Sequence, residues 1–221
     1  ETDTLGGKDP YSSSKASAEL LIKSFISSFF SKGKSKIRIA TARAGNVIGG
    51  GDWAEDRIIP DCVRSWSKGI RAQLRNPKST RPWQHVLEAV GGYICLAINL
   101  NNNKNLHGES FNFGPSLSQE HSVLELVKAM SNNWNNVNWK IMSKSKNKFY
   151  ESELLRLNCN KAKKILKWKS ILSFDENVEM VADWYRSYYI DPRNIDYLTE
   201  EQIKKYQLLA FKRGFKWAKP F

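Results

Sequence analysis

Apolar residues first fall into a helical rhythm after Pro10, where Tyr11, Ala18, Leu21, Ile22, Phe25, Ile26 and Phe29 approximate a 3.6-residue period that Gly33 would end. Glu1–Pro10 ahead of them read as a loop. The rhythm then changes to two in Lys36–Arg43 (KIRIATAR), a β-branched stretch that predicts a strand of a half-buried or parallel sheet. A glycine-rich loop follows over Ala44–Asp61, with Gly45, Gly49, Gly50 and Gly51. Next come a helix at about Ile59–Lys68, a short strand near Ala72–Arg75 and a loop through Arg81–His85. Val86–Leu100 is helical in pattern, Ser110–Gly114 a strand, Ser122–Asn132 a helix, and Asn138–Met142 a strand. Two more helices are expected at about Asn160–Leu166 and Phe174–Tyr189. Thr199, followed by Glu200 and Glu201, reads as the N-cap of a last one. Strands alternating with helices predict an α/β fold with a partly parallel sheet. No internal repeat or clean linker divides it.

Composition narrows the class. At 221 residues, with 8 Trp, 8 Tyr and 10 Phe, the chain has enough bulk for a core and too many aromatics for a disordered tail. Its 35 Lys+Arg against 22 Asp+Glu give a formal charge of +13. The lysines are spread out, with modest clusters at Lys32–Lys36, Lys144–Lys148 and Lys161–Lys169 and much accompanying asparagine. A nucleic-acid groove would concentrate basic residues with interleaved aromatics, so no nucleic-acid partner is predicted. The charge suits an anionic small molecule equally well. The apolar stretches Leu20–Ile22 and Tyr93–Ile98 are too short to cross a bilayer, and none resembles a signal peptide, so no membrane partner is expected. Cys62, Cys95 and Cys159 are odd in number and form no CxxC pair; free thiols in a reducing cytoplasm are the simple reading. His107 and His121 lie in polar surroundings without a ligand pattern around them, and no metal is expected.

The first chemical pattern is Tyr11-x-x-x-Lys15 (YSSSK). On a helix these residues share a face, and an ammonium beside a phenol favours phenolate, making Tyr11 a usable general base. The spacing is cheap, since about one such match is expected by chance. A dinucleotide-binding turn is missing: Gly45–Gly51 cannot serve, because Asp52–Asp56 and Pro60 intervene before a helix is established. Either the chain binds no dinucleotide, or it is the second part of something longer.

Context decides how much the tyrosine–lysine pair is worth. GGKDPYSSSK (Gly6–Lys15) is followed by RAGNVIGGGDW (Arg43–Trp53), IIPD (Ile58–Asp61), RPWQHVLE (Arg81–Glu88) and FNFGP (Phe111–Pro115), with WYRSYY and EEQIKKY near the end. This succession resembles the extended short-chain dehydrogenase/reductases, and within them the CDP-glucose 4,6-dehydratases, over nearly the whole chain. Two departures stand out: Asn158 replaces a common acid, and the basic-aromatic tail after Tyr206 has no counterpart.

The resemblance implies the C-terminal part of a doubly wound Rossmann sheet plus a substrate-binding domain. Residues 1–115 would belong mainly to the former, with substrate-domain segments at about 55–80, and residues 116–221 mainly to the latter. The half bearing GxxGxxG would lie upstream, so residues 1–221 alone are expected to be inactive. The cofactor implied is NAD. Tyr11 would remove the proton from the sugar C4 hydroxyl while hydride passes to NAD, and Lys15 would hold the nicotinamide ribose. Water then leaves from C6 and the hydride returns there, giving CDP-4-keto-6-deoxyglucose from CDP-glucose. Arg43 would lie under the cofactor. Asn46, Arg57, Arg81, Trp83 and His85 would meet the nucleotide sugar, the arginines by bidentate contact with its diphosphate and Trp53 with Trp83 as pocket wall. A homodimer through the Tyr11–Phe30 helix, in a four-helix bundle, completes the expectation.

Overall fold

The computed structural model describes residues 1–31, 36–116, 120–134, 137–142, 156–215 and 217–218. Gly33 and the lysines at 144–148 lie outside the described residues. The elements run α1 (Pro10–Phe29), β1 (Thr41–Ala44), β2 (Val47–Ile48), α2 (Ile58–Trp66), β3 (Ala72–Leu74), β4 (Thr80–Arg81), β5 (Gln84–His85) and α3 (Val86–Asn102). They continue with β6 (Ser110–Phe113), β7 (His121–Ser122), α4 (Val123–Asn132), β8 (Trp139–Ile141), a π-helical turn (Ala162–Leu166), α5 (Phe174–Ile190) and α6 (Ile195–Lys212).

Local chemistry explains the helix starts. Asp9 caps α1 by accepting from Ser12 N at 2.9 Å and Ser12 Oγ at 2.6 Å, while Pro10 fills the first turn, where a missing N–H costs nothing. Those Ser12 bonds hold the Asp9 carboxyl below its usual range. Ser122 with Glu125 and Ser173 with Glu176 form reciprocal capping boxes at α4 and α5. The last helix departs from expectation. It begins at Ile195 rather than at Thr199, because Asp191 caps a short 3₁₀ turn at Pro192–Asn194 that leads straight into α6. Thr199 instead sits inside α6, donating to Ile195 O and accepting from Trp184 Nε1.

Of the four strand pairs among the described residues, three are parallel: β1 with β6, β2 with β5, and β3 with β8. The fourth, β4 with β7, is antiparallel. The strand expected over Lys36–Arg43 forms only at its end, since β1 has just the four residues of β6 to pair with. Upstream the pairing is irregular: Gly108 N donates to Ile39 O at 2.8 Å, but Ile39 N donates to His107 Nδ1, and the Arg38 side chain reaches across to Leu100 O at 2.9 Å. β2, β4, β5 and β7 are two residues each, too short for alternation to reveal them.

One core gathers α2, β3, α4 and α5 around Val63, Leu74, Leu126, Val127, Met130 and Tyr185, so residues 58–74 pack with the C-terminal half of the chain. A second packs Leu96 of α3, Phe111 and Phe113 of β6, and Leu166 with Trp168. Each such fully buried side chain contributes roughly 1.5–3 kcal/mol. Met180, Tyr206 and Ala210 join α5 to α6. α1 contrasts with all of these, burying only Ala16 and exposing Leu20, Leu21, Phe25 and Phe29. No helix among the described residues is long and apolar enough to cross a membrane.

Candidate active site

The YSSSK segment occupies the first turns of α1, so Tyr11 and Lys15 stand one above the other. Lys15 Nζ lies 5.2 Å from the centre of the Tyr11 ring, a cation–π distance, and Tyr11 is 71% exposed. One turn on, Glu19 takes both arms of Arg43: Nε bonds Oε1, and Nη2 lies 2.6 Å from Oε2. The guanidinium holds the Glu19 carboxyl below its usual range, and Arg43 is raised in return. Arg43 therefore ties β1 to α1 beside the tyrosine–lysine face.

A second group forms on the β2–β5 ladder. Gln84 N donates to Asn46 O at 3.0 Å, which sets the half-buried Asn46 against the RPWQH segment. Trp83 Nε1 donates to His121 O at 2.9 Å, and the buried Arg81 donates through Nη1 to Thr80 O at 2.8 Å. His85, only 2% exposed, caps α3 by accepting Leu87 N on Nδ1 at 3.2 Å. Burial pushes its imidazole down to about 4, so it is neutral near pH 7.

Arg57 belongs to a third group, the loop between β2 and α2. Its Nη1 lies 3.0 Å from Asp52 Oδ2, and its side chain is largely exposed. This loop is laid tightly on α5: a Cβ on Gly50 would come within 2.1 Å of the Trp184 ring. Gly51 adopts φ +80, a conformation that glycine accepts without strain. Trp53 packs against Tyr188 and Tyr185 with ring centres at 4.9 and 5.3 Å. Tyr185 OH donates to Asp52 O at 2.6 Å, and Arg64 Nη1 to Trp53 O at 2.7 Å. Trp53 is thus committed to an aromatic cluster on α5. Tyr185 escapes sequence reasoning as a support of this loop, although Trp184, Tyr185, Tyr188 and Tyr189 recur at one-face helical spacing.

Glu88 is also illegible in the sequence. Its Oε1 accepts Ile171 N and Leu172 N, both at 2.6 Å, and its Oε2 accepts Tyr206 OH at 3.1 Å. Burial pushes its carboxyl up to about 7 against the pull of those donors, and raises Tyr206 as well. At the C-terminal end of β6 a groove with about 200 Å³ of room for the centre of a water molecule is lined by Gly114, Asn158, Cys159, Lys163 and Lys169, among others. All three cysteines are free thiols; burial pushes Cys62 up to about 12 and Cys159 up to about 11, so neither is a ready nucleophile.

Known proteins share both the sequence and the architecture. CDP-glucose 4,6-dehydratase of Salmonella typhimurium is 38% identical over 192 residues, covering 85% of this chain and 53% of that protein. The solved UDP-glucose 4-epimerase of Stenotrophomonas maltophila, with bound NAD, superposes with a TM-score of 0.70 at 18% identity, over 85% of this chain and 57% of the other. The dTDP-glucose 4,6-dehydratase of Streptomyces venezuelae, also with NAD bound, gives 0.67 at 20% identity, over 85% and 54%. The fold is therefore that of the extended short-chain dehydrogenase/reductases. The chain spans about half the length of the curated relatives it matches. With the family's sequence model running unbroken through residues 1–181, from before the tyrosine–lysine helix into α5, the chain belongs to the GDP-mannose 4,6 dehydratase family.

Proposed function

We propose that this chain carries the tyrosine–lysine and substrate-binding part of an NAD-dependent nucleotide-sugar 4,6-dehydratase that converts CDP-glucose to CDP-4-keto-6-deoxyglucose and water. The observation that carries the reading is the Tyr11–Lys15 pair, set on an exposed helix face with the ammonium 5.2 Å from the ring centre. The 38% identity to a CDP-glucose 4,6-dehydratase supports the choice of substrate.

The donor set on that face fits NAD, because a phenol and an ammonium can meet a ribose hydroxyl and a substrate hydroxyl side by side. When bound, NAD accepts a hydride and gives it back, so it is recycled. Tyr11 would remove the C4 hydroxyl proton as general base. Lys15 would stabilise the phenolate and hold the ribose hydroxyls, while Arg43, fixed by Glu19, would brace the same face. Asn46 would orient the sugar, and Arg57 and Arg81 would neutralise the diphosphate. Trp83 and His85, both buried, would support the site from below by fixing β5.

Exposed apolar residues on α1 (Leu20, Leu21, Phe25, Phe29) and on α3 (Val90, Ile94, Ile98) support a homodimer through the Tyr11–Phe30 helix. The packing of residues 58–74 with α4 and α5 supports a substrate domain interleaved with the Rossmann part near 55–80 and continuing beyond 116. Three free thiols suit the cytoplasm.

The test supplies NAD and CDP-, dTDP-, GDP- or UDP-glucose to the full-length protein and follows the products by mass spectrometry. Loss of one water, fastest from CDP-glucose, is the expected result. Equal rates on all four would overturn the CDP assignment, and a product of unchanged mass would indicate an epimerase.

A further inference from the structure

Beneath the β2–β5 ladder, three buried polar atoms have no hydrogen-bond partner among the described residues: Gln84 Oε1, His85 Nε2 and Asn177 Oδ1. Their residues are 2%, 2% and 3% exposed. An orphaned polar atom at that depth costs about 1–3 kcal/mol, so three around one spot would be a heavy burden on a single joint. They are not scattered. Gln84, His85 and Asn177 all line one cavity, together with Trp83 and Glu88, and it has about 10 Å³ of room for the centre of a water molecule. That is roughly the space one water needs.

For Gln84 and His85 the hydrogen-bonding sense is fixed by another bond of the same side chain. Gln84 Nε2 donates to Phe113 O at 2.9 Å, which leaves the amide oxygen as the unpaired acceptor. His85 Nδ1 accepts from Leu87 N, so the neutral ring carries its proton on Nε2 and presents a donor. Asn177 Oδ1 is a second acceptor. The vacant roles are therefore one donor and two acceptors, which is complementary to a molecule that accepts once and donates twice. Ammonium has no lone pair for the His85 N–H, and an anion has no protons for the two amide oxygens. A metal cation is repelled by the imidazole proton.

We propose that this cavity is an internal hydration site for one water molecule, which accepts from His85 Nε2–H and donates to Gln84 Oε1 and Asn177 Oδ1. The water links β5 to α5, two elements far apart in sequence. It thereby braces the segment whose backbone holds Asn46. The site stands on buried geometry alone and does not depend on the reading of the enzyme's reaction.

Two measurements on the full-length protein test it. A crystal structure at about 1.6 Å should show a density peak within hydrogen-bonding distance of all three atoms. An empty cavity, or direct bonds among the three side chains, would overturn the proposal. The substitution Asn177→Leu, similar in size, separates a wet cavity from a dry one by sign. If water is bound, it displaces that water and strands His85 Nε2–H and Gln84 Oε1, and the thermal midpoint should fall by roughly 4 °C or more. If the cavity is dry, it removes an unpaired acceptor and the midpoint should stay level or rise, which refutes the site.

Discussion

The N-terminal face of α1 and the buried joint around Glu88 are opposites. On α1, Tyr11 and Lys15 stand in solvent, held by one cation–π contact. At the joint, Glu88 takes two backbone N–H groups and a tyrosine hydroxyl, His85 caps α3 close by, and the pair is displaced to about 7 and about 4. Displaced titration often marks a functional site. Here burial displaces groups whose partners are structural: a helix cap, and the turn joining Trp168 to α5. The groups proposed to carry the chemistry, Tyr11 and Lys15, lie where a second molecule can reach them. Strong perturbation thus falls away from the face proposed for the reaction, and at Glu88 and His85 the hydrogen-bond partners explain it without any catalytic role.

The sharpest way to break this contrast is Tyr11→Phe in the full-length protein. A lost general base should cut turnover about 10²–10⁴-fold. The thermal midpoint should hold, because an exposed hydroxyl anchors nothing in the core. Unfolding of the variant, with turnover surviving in the folded fraction, would make Tyr11 structural.

Glu88→Ala should behave in the reverse manner. It strands Ile171 N, Leu172 N and Tyr206 OH inside the protein, and stability should fall by roughly 3 kcal/mol or more. Urea midpoints would measure this. A loss under about 1 kcal/mol would mean that water reaches these donors and that the joint is not sealed.

The mildest effect is in pH dependence. Glu88 is raised from 4.5 to about 7, so its contribution is complete below 4.5 and is lost as pH rises towards 7. His85 is lowered from 6.5 to about 4, so its contribution is complete above 6.5 and is lost as pH falls towards 4. Between 4.5 and 6.5 the two slopes oppose each other. Glu88→Gln should uncover the histidine, with stability climbing through that window by roughly 1 kcal/mol per pH unit relative to the unsubstituted protein. Parallel pH profiles for the two proteins would show that Glu88 is ionised throughout.

The sequence by itself determined whatever depends on near neighbours. Pro10 after Asp9 fixed the start of α1, the i, i+4 spacing put Lys15 over Tyr11, and Ser122 with Glu125 marked the start of α4. The motif order from YSSSK to FNFGP placed the family. Tertiary structure alone decided what depends on pairing across the chain. Lys36–Ala40 has the look of a strand but lies outside β1, because β6 offers β1 only four residues and His107 Nδ1 takes the Ile39 N–H. Thr199 resembles a cap, yet Asp191 starts the turn earlier and Trp184 claims its hydroxyl. Arg43, Gln84, Glu88 and Tyr185 reveal nothing of their partners in sequence, since Glu19, Phe113, Leu172 and Asp52 lie 24, 29, 84 and 133 residues away. A side chain's local spacing is written in the chain, whereas the donor or acceptor that satisfies it is chosen only when distant segments are brought together and water is removed.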